Sequence, residues 1–449
     1  MPANMKNHVS KLLLTSIVMG LSIFVLFLAQ VYLAKILGIT EFGKLMSIYG
    51  QYTILSGLVN FGTDRAASKF GSIYFTETKP LPIWSFLTWS IFAQIFVMFC
   101  ITMMAKIAGP KISGNFDLWA VMTIMLWSFT RFFAAMLRSM QFTFTSVFVD
   151  RLLREGILLL YALYCFFYGF RVDQDQILNI VLLGVVLSLL LGIFPTLMAM
   201  PSLPLRNSRD VFSFFESEWL TTTAAFWLIG LVELTTARFE IIYYEYVGRA
   251  ENAGIFAVAL LISSLVSLPI FALTILFQPA YGAFSQLKDR KKLARLVHFY
   301  SFLISVPSIV LALVIVAFPS IFFMVFGISN PSHDAIFCMQ LLTLSRLLVA
   351  PFSTANVVMI MSGLHNNFLV AAFLAFATKA LAIYTVGIDI TLVQTAMISI
   401  IFFLSSQIYA FYIVKSKLGF YPGIGLSFIR LAYRSTRLQW KMKKHTLAC

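Results

Sequence analysis

Two basic residues interrupt apolar runs long enough to cross a bilayer, and neither has an acid beside it. Arg346 lies eleven residues into the run 335–361, and Lys379 lies eleven residues into 368–388, so both fall near the middle of a span. A charge at that depth costs at least about 2.5–3.5 kcal/mol to insert, which makes it a functional candidate by default. The chemistry on offer is recognition of an anion. A guanidinium fork binds two phosphate oxygens at once, and an ammonium adds a compact point charge. Arg131, inside the run 117–137, is a third such cation and shares a helical face with Arg138. Hydrogen bonding to carbonyls of a neighbouring helix is the structural alternative for Arg346 and Lys379. Snorkelling to the interface is the alternative for Arg131 and the reading adopted for Arg138.

Acids within the spans are confined, on this reading, to the run 217–242. Glu233 and Glu240 are seven residues apart, hence on one face and about 10.5 Å apart along the axis. Glu233 is expected in the outer half. It serves either as a proton or cation site coupling transport to a gradient, or as the salt-bridge partner of Arg346 or Lys379, and the two roles overlap. Arg238 and Glu245 are expected at the outer interface, and Lys35 is expected to snorkel near Gln30. Asp64-Arg65 is expected to open a cytoplasmic loop as a local ion pair.

These residues need helices to hold them. The chain is 60% hydrophobic and only 11% charged, and its mean hydropathy is +0.89. Apolar runs recur along its whole length, which predicts an all-α polytopic membrane protein. Twelve transmembrane helices are expected, at 12–37, 43–61, 83–107, 117–137, 152–170, 177–200, 217–242, 253–277, 298–323, 335–361, 368–388 and 390–414. The first is too long for a signal-peptide core. The net charge is +15. With the N-terminus inside, most Lys and Arg fall in cytoplasmic segments, among them Arg65, Lys69, Arg151, Arg154, Arg206, Arg209 and the run Lys288–Arg295. The positive-inside rule and the even span count both place the two termini in the cytoplasm.

The chain carries one loop twice. Leu37-Gly38-Ile39-Thr40-Glu41-Phe42-Gly43 and Val247-Gly248-Arg249-Ala250-Glu251-Asn252-Ala253-Gly254 each follow one apolar run and open the next. This internal repeat predicts two six-helix bundles, 1–200 and 217–414, related by an axis along the membrane normal. Arg131 and Arg346 fall at nearly corresponding places in the two halves. Residues 201–216 form a cytoplasmic linker, closed by a capping box Ser213-Phe-Phe-Glu216 that would start the seventh helix. Residues 415–449 form a basic cytoplasmic tail. Within it, Arg430, Arg434, Arg437, Lys441 and Lys444 would share one helical face, suited either to anionic membrane lipids or to enforcing topology.

The two loop copies also carry a family likeness. With Leu-Gly-x-x-Glu-Phe-Gly at 37–43, Gly-x-x-Glu-Asn-Ala-Gly-Ile-Phe-Ala-Val-Ala from Gly248 to Ala259, twelve spans and a basic loop before the ninth, the chain resembles the Wzx-type polysaccharide flippases of the multidrug/oligosaccharidyl-lipid/polysaccharide (MOP) superfamily. The resemblance runs to about Lys417. It implies a bacterial inner-membrane protein that moves undecaprenyl-diphosphate-linked oligosaccharide from the cytoplasmic to the periplasmic leaflet. It also implies coupling to H+ or Na+ and, as partners, a polysaccharide polymerase and a chain-length regulator. The motifs mark loop geometry and helix entry and transfer no binding residue.

Other classes fit less well. A cation-coupled multidrug exporter of the same fold would need an acidic or neutral midplane. A membrane glycan polymerase or ligase would need a large outer loop, and none is long enough. The five His residues and the cysteines Cys100, Cys165, Cys338 and Cys449 show no metal-ligand spacing. No Walker or nucleophile motif is present, so no enzyme activity, no cofactor and no metal are expected. No basic-aromatic surface suited to nucleic acid is present either. The 46 Phe and 19 Met are read as lipid-facing and core material.

Overall fold

The computed structural model describes residues 3–76, 80–108, 117–170, 172–201, 215–274, 277, 281, 290–387 and 389–423, and every regular element among them is a helix. The long ones are α1 (Ala3–Leu37), α2 (Ile39–Asn60), α3 (Pro80–Ala108), α4 (Leu118–Ser139), α5 (Leu153–Tyr168), α6 (Gln174–Ala199), α7 (Ser217–Tyr246), α8 (Ala250–Thr274), α9 (Arg290–Ala317), α10 (His333–Phe352), α11 (His365–Val386) and α12 (Leu392–Leu418). Shorter helices occupy Pro319–Val325 and Thr354–Met361. Among the described residues, nine helices are long and apolar enough to cross a membrane; α2, α5 and α7 are shorter or more polar. The chain is therefore a multi-pass membrane protein.

Local chemistry fixes several helix starts. The Asp117 carboxylate accepts the Ala120 N–H at the head of α4, and Thr391 with Gln394 forms a capping box on α12. The predicted box at 213–216 is not formed as expected. Residue 213 lies outside the described residues, and Glu216 is itself the cap of α7 rather than its third residue. Its carboxylate instead accepts the Tyr74 hydroxyl at 2.6 Å. The linker from 202 to 214 and the tail beyond 423 also lie outside the described residues.

The chain divides into two compact units, Met1–Ala259 with Ser320–Ala335, and Leu260–Pro319 with Ile336–Cys449. In the first unit α1 packs on α5, α6 on α4 and α5, α3 on α4, and α2 on α4 and α7. The close run of α2 along α7 and the start of α8 follows from Gly43, Gly50 and Gly57, which repeat every seven residues and so share one face. Gly43 meets backbone at Ala250 and Gly254, Gly50 meets the stem of Arg238, and Gly57 meets Leu234. In the second unit α11 packs on α12 and the Thr354–Met361 helix packs on both. A buried Ser301–Thr354 hydroxyl pair at 2.8 Å ties α9 to that helix.

Past Asn60 the expected loop is absent. Phe61 and Gly62 take left-handed backbone (φ 53° and 71°), and the chain resumes helix from Thr63 to Thr76, with a π-helical turn at Ala67–Gly71. Gly62 is required here twice over. Its φ suits glycine, and a Cβ would lie 2.6 Å from the Trp227 nitrogen. At the break the Leu58 carbonyl accepts the Phe61 N–H at 3.3 Å and the Trp227 indole N–H at 2.9 Å. A buried amide network, Asn60 to the Ser128 carbonyl (3.2 Å), Gln94 to Thr63 (2.9 Å) and Ser128 to Gln94 (2.7 Å), holds the break against α3 and α4.

Candidate functional site

In the second unit the two predicted cations come to adjacent rings of one helix. The Arg346 guanidinium carbon sits 4.5 Å from the centroid of Phe403, and the Lys379 ammonium sits 5.2 Å from that of Phe402. The two rings meet edge to face at 5.3 Å. Lys379 is 3% exposed and Arg346 is half-buried. A cation over an aromatic face is attracted by the ring quadrupole, the more so when water is excluded. α10, α11 and α12 thus build a two-cation patch from residues that the sequence placed at matching depths.

Arg131 belongs to the first unit and lies with a different set. Its guanidinium stands 5.5 Å from the Trp127 ring, and that of Arg154 stands 4.3 Å from the same ring. Arg154 donates from Nε (3.0 Å) and Nη2 (2.6 Å) to Glu155 Oε1, which also accepts the Tyr49 hydroxyl at 2.9 Å. Glu155 is 2% exposed, and its Oε2 has no hydrogen-bond partner among the described residues. Gly184 on α6 makes room for the Arg154 stem.

Arg154, expected in a cytoplasmic segment, lies buried at the start of α5. The cluster corrects one expectation: the acids of α7 are not the only ones inside the helical bundle, because Glu155 is another. The adjacent Arg154-Glu155 in an otherwise apolar run was the available signal, since a neighbouring opposite charge lets such a pair be buried. The π-helical turn Phe148–Leu152 directly precedes the pair, and such turns often mark functional sites.

The acids of α7 separate despite their shared face. Glu240 is buried at 4%, whereas Glu233 is exposed and bonds Arg65 Nη2 at 2.5 Å. The expected local Asp64–Arg65 side-chain pair does not form. Asp64 accepts the Arg65 backbone N–H at 2.7 Å instead, and the Arg65 side chain runs along α7 past Gly230. The helical continuation beyond Gly62 is the cause, because it carries Arg65 along α7 instead of out into a loop. One turn later Lys69 pairs with Glu218 at 2.8 Å. Burial pushes the Tyr74 hydroxyl up, reinforced by its bond to Glu216, so it stays a donor there.

Arg238 also departs from expectation. It is half-buried and lies along Gly50, rather than at the outer interface. Neither Arg131 nor Arg238 has an ion-pair or hydrogen-bond partner among the described residues. Lys35 is exposed beside Tyr32 and Phe166, each 5.9 Å away, as a snorkelling lysine would be, and Arg138 is exposed as expected.

No protein-family model matches the chain. No curated protein matches it either. Solved structures do. An inward-facing multidrug resistance MATE family transporter of the MOP superfamily is 14% identical with a TM-score of 0.67, the match covering 88% of this chain and 94% of that one. An outward-facing transporter of the same kind is 15% identical with a TM-score of 0.60, over 91% and 95%. A MOP superfamily transporter from Pyrococcus furiosus, described as having a binding pocket of reverse polarity that suggests a different function, is 15% identical with a TM-score of 0.62, over 91% and 95%. The chain has the fold of the MATE transporters of the MOP superfamily.

Proposed function

We propose that this protein is a flippase that carries an undecaprenyl-diphosphate-linked oligosaccharide from the cytoplasmic to the periplasmic leaflet of a bacterial inner membrane, for assembly of a surface polysaccharide. One observation carries the reading: among the described residues, both units hold cations within runs that the sequence assigned to the membrane. Arg346 and Lys379 face adjacent rings in the second unit, and Arg131 and Arg238 lack acceptors among the described residues of the first. Cations at that depth favour an anionic head group and repel a cationic one. Twelve spans in a six-plus-six repeat with both termini cytoplasmic complete the proposed architecture. Alternating access coupled to H+ or Na+ supplies the drive, with Glu233 or Glu240 as the coupling acid and no catalytic step on the protein.

The multidrug transporters of like fold support a second reading, a cation-coupled multidrug exporter. One experiment separates them. Deleting the gene should remove a surface glycan and strand lipid-linked oligosaccharide in the inner leaflet, with no gain in sensitivity to cationic dyes. Arg346→Ala or Lys379→Ala, at normal protein abundance, should do the same. Dye hypersensitivity with intact glycan would make the exporter the correct reading.

A further inference from the structure

One end of the second unit, the inner end under the charge-based orientation, gathers basic residues from two helices onto one surface. α12 ends at Gly419, whose left-handed backbone (φ 77°) turns the chain out of the helix. Phe420, Pro422 and Gly423 are then buried. The Tyr421 ring lies 5.6 Å from that of Phe411 and 4.8 Å from the Lys415 ammonium. His298 of α9 donates from Nδ1 to the Gly423 carbonyl oxygen at 2.6 Å. A Cβ on Gly423 would lie 3.2 Å from the Phe352 ring, and one on Gly419 would lie 3.5 Å from Arg290 Nη1. The end of α12 is therefore clipped to the start of α9 and the end of α10.

The charges around this clip are nearly all of one sign. Lys291 and Arg295 share the helical face of His298, two turns and one turn before it. Arg290, Lys291, Lys292, Arg295, Lys415 and Lys417 are all exposed. Between 288 and 298 the sequence holds five Lys and Arg against one acid, Asp289, and from 415 to 449 it holds eight against none. In the first unit, by contrast, Arg65 and Lys69 pair with Glu233 and Glu218 of α7. Exposed tyrosines accompany the basic residues, Tyr421 beside Lys415 and Tyr412 one turn before it. Tyrosines beside Lys and Arg mark the headgroup level of a bilayer. Such a surface suits a lipid, whose chains continue past the rings, better than a free phosphate.

We propose that this rim binds anionic phospholipid of the inner leaflet, with Arg290, Arg295 and Lys417 attracting the headgroup phosphates. The clip keeps the ends of α9 and α12 in one surface and starts the basic tail from it. The inference rests on the chain lying in a membrane and on no transported substrate.

The test uses the full chain in lipid nanodiscs. With Cys100, Cys165, Cys338 and Cys449 replaced by serine or alanine, a fluorophore is attached through Ser416→Cys, an exposed position between Lys415 and Lys417. Phosphatidylglycerol or phosphatidylcholine carrying a nitroxide near its headgroup is titrated into a phosphatidylcholine background, and quenching reads the relative affinity for the rim. Phosphatidylglycerol should be preferred about tenfold or more. Salt at about 1 M should remove most of that preference, since screening then acts within about 3 Å. Arg290→Gln, Arg295→Gln and Lys417→Gln together should reduce it to about twofold or less. Arg138→Gln with Arg151→Gln, at exposed basic positions of the first unit, should leave it unchanged. Equal quenching by the two lipids, or a preference that survives the triple substitution, would overturn the proposal. An equal fall in both sets of variants would do so too, because it would show only the general effect of surface charge.

Discussion

Arg65 and Glu233, 168 residues apart in the chain, meet at 2.5 Å, although neither was expected to find the other. Both side chains remain more than a third exposed, at 36% and 43%. An ion pair that protein does not fully enclose contributes little to stability where water reaches it, about 0–1 kcal/mol. It is therefore suited to breaking during a transport cycle.

Glu233→Gln is accordingly expected to leave membrane abundance within about twofold of wild type and to abolish gradient-driven transport, because so exposed a pair adds little to folding. Arg65→Ala should behave alike. Immunoblotting and surface-glycan staining on the same cells check both. A large loss of protein in either variant would assign the pair to folding instead.

The Arg154–Glu155 pair should behave in the opposite way. Glu155→Gln leaves a buried guanidinium with a weakened partner, and Glu155→Ala leaves it without one. The alanine variant is expected to lose about 3–5 kcal/mol of stability. Tyr49→Phe removes one hydrogen bond from the same oxygen and should cost about 1 kcal/mol. Thermal unfolding of the detergent-purified protein would rank the three, alanine lowest. A Glu155→Ala variant as stable as wild type would contradict the burial described above.

Two glycines give a paired control. Gly62→Ala forces a positive φ on a side chain that also meets the Trp227 backbone, so it should destabilise by about 1–3 kcal/mol and deplete the protein from the membrane. Gly156 in α5 has ordinary helical backbone and nothing within 4 Å of an added Cβ. Gly156→Ala should raise thermal stability by about 0.5–1 kcal/mol through helix propensity alone.

Topology offers a separate check. Reporter fusions after Lys292 should read cytoplasmic and fusions after Arg249 periplasmic, as the distribution of Lys and Arg predicts. The reverse pattern would invert the proposed direction of transport.

What the amino-acid order determined was set by local and additive quantities. Runs of apolar residues specified membrane helices because transfer into lipid sums residue by residue. Arg346 and Lys379 stood out for the same reason, as isolated charges in otherwise apolar runs. The repeated loop was legible because a duplication leaves its residues in order. Tertiary structure decided the pairings. Arg65 joined Glu233 because the chain turns back into helix at Phe61–Gly62, and that turn depends on Trp227 and Gln94 arriving from other helices. Arg154 and Glu155 became interior because the rotation of α5 aims them at Tyr49 and Trp127. Gly43 and Gly254 were visible as motif positions, but their mutual contact was not. Helix rotation and register come from the packing of many faces at once, and no single segment encodes them.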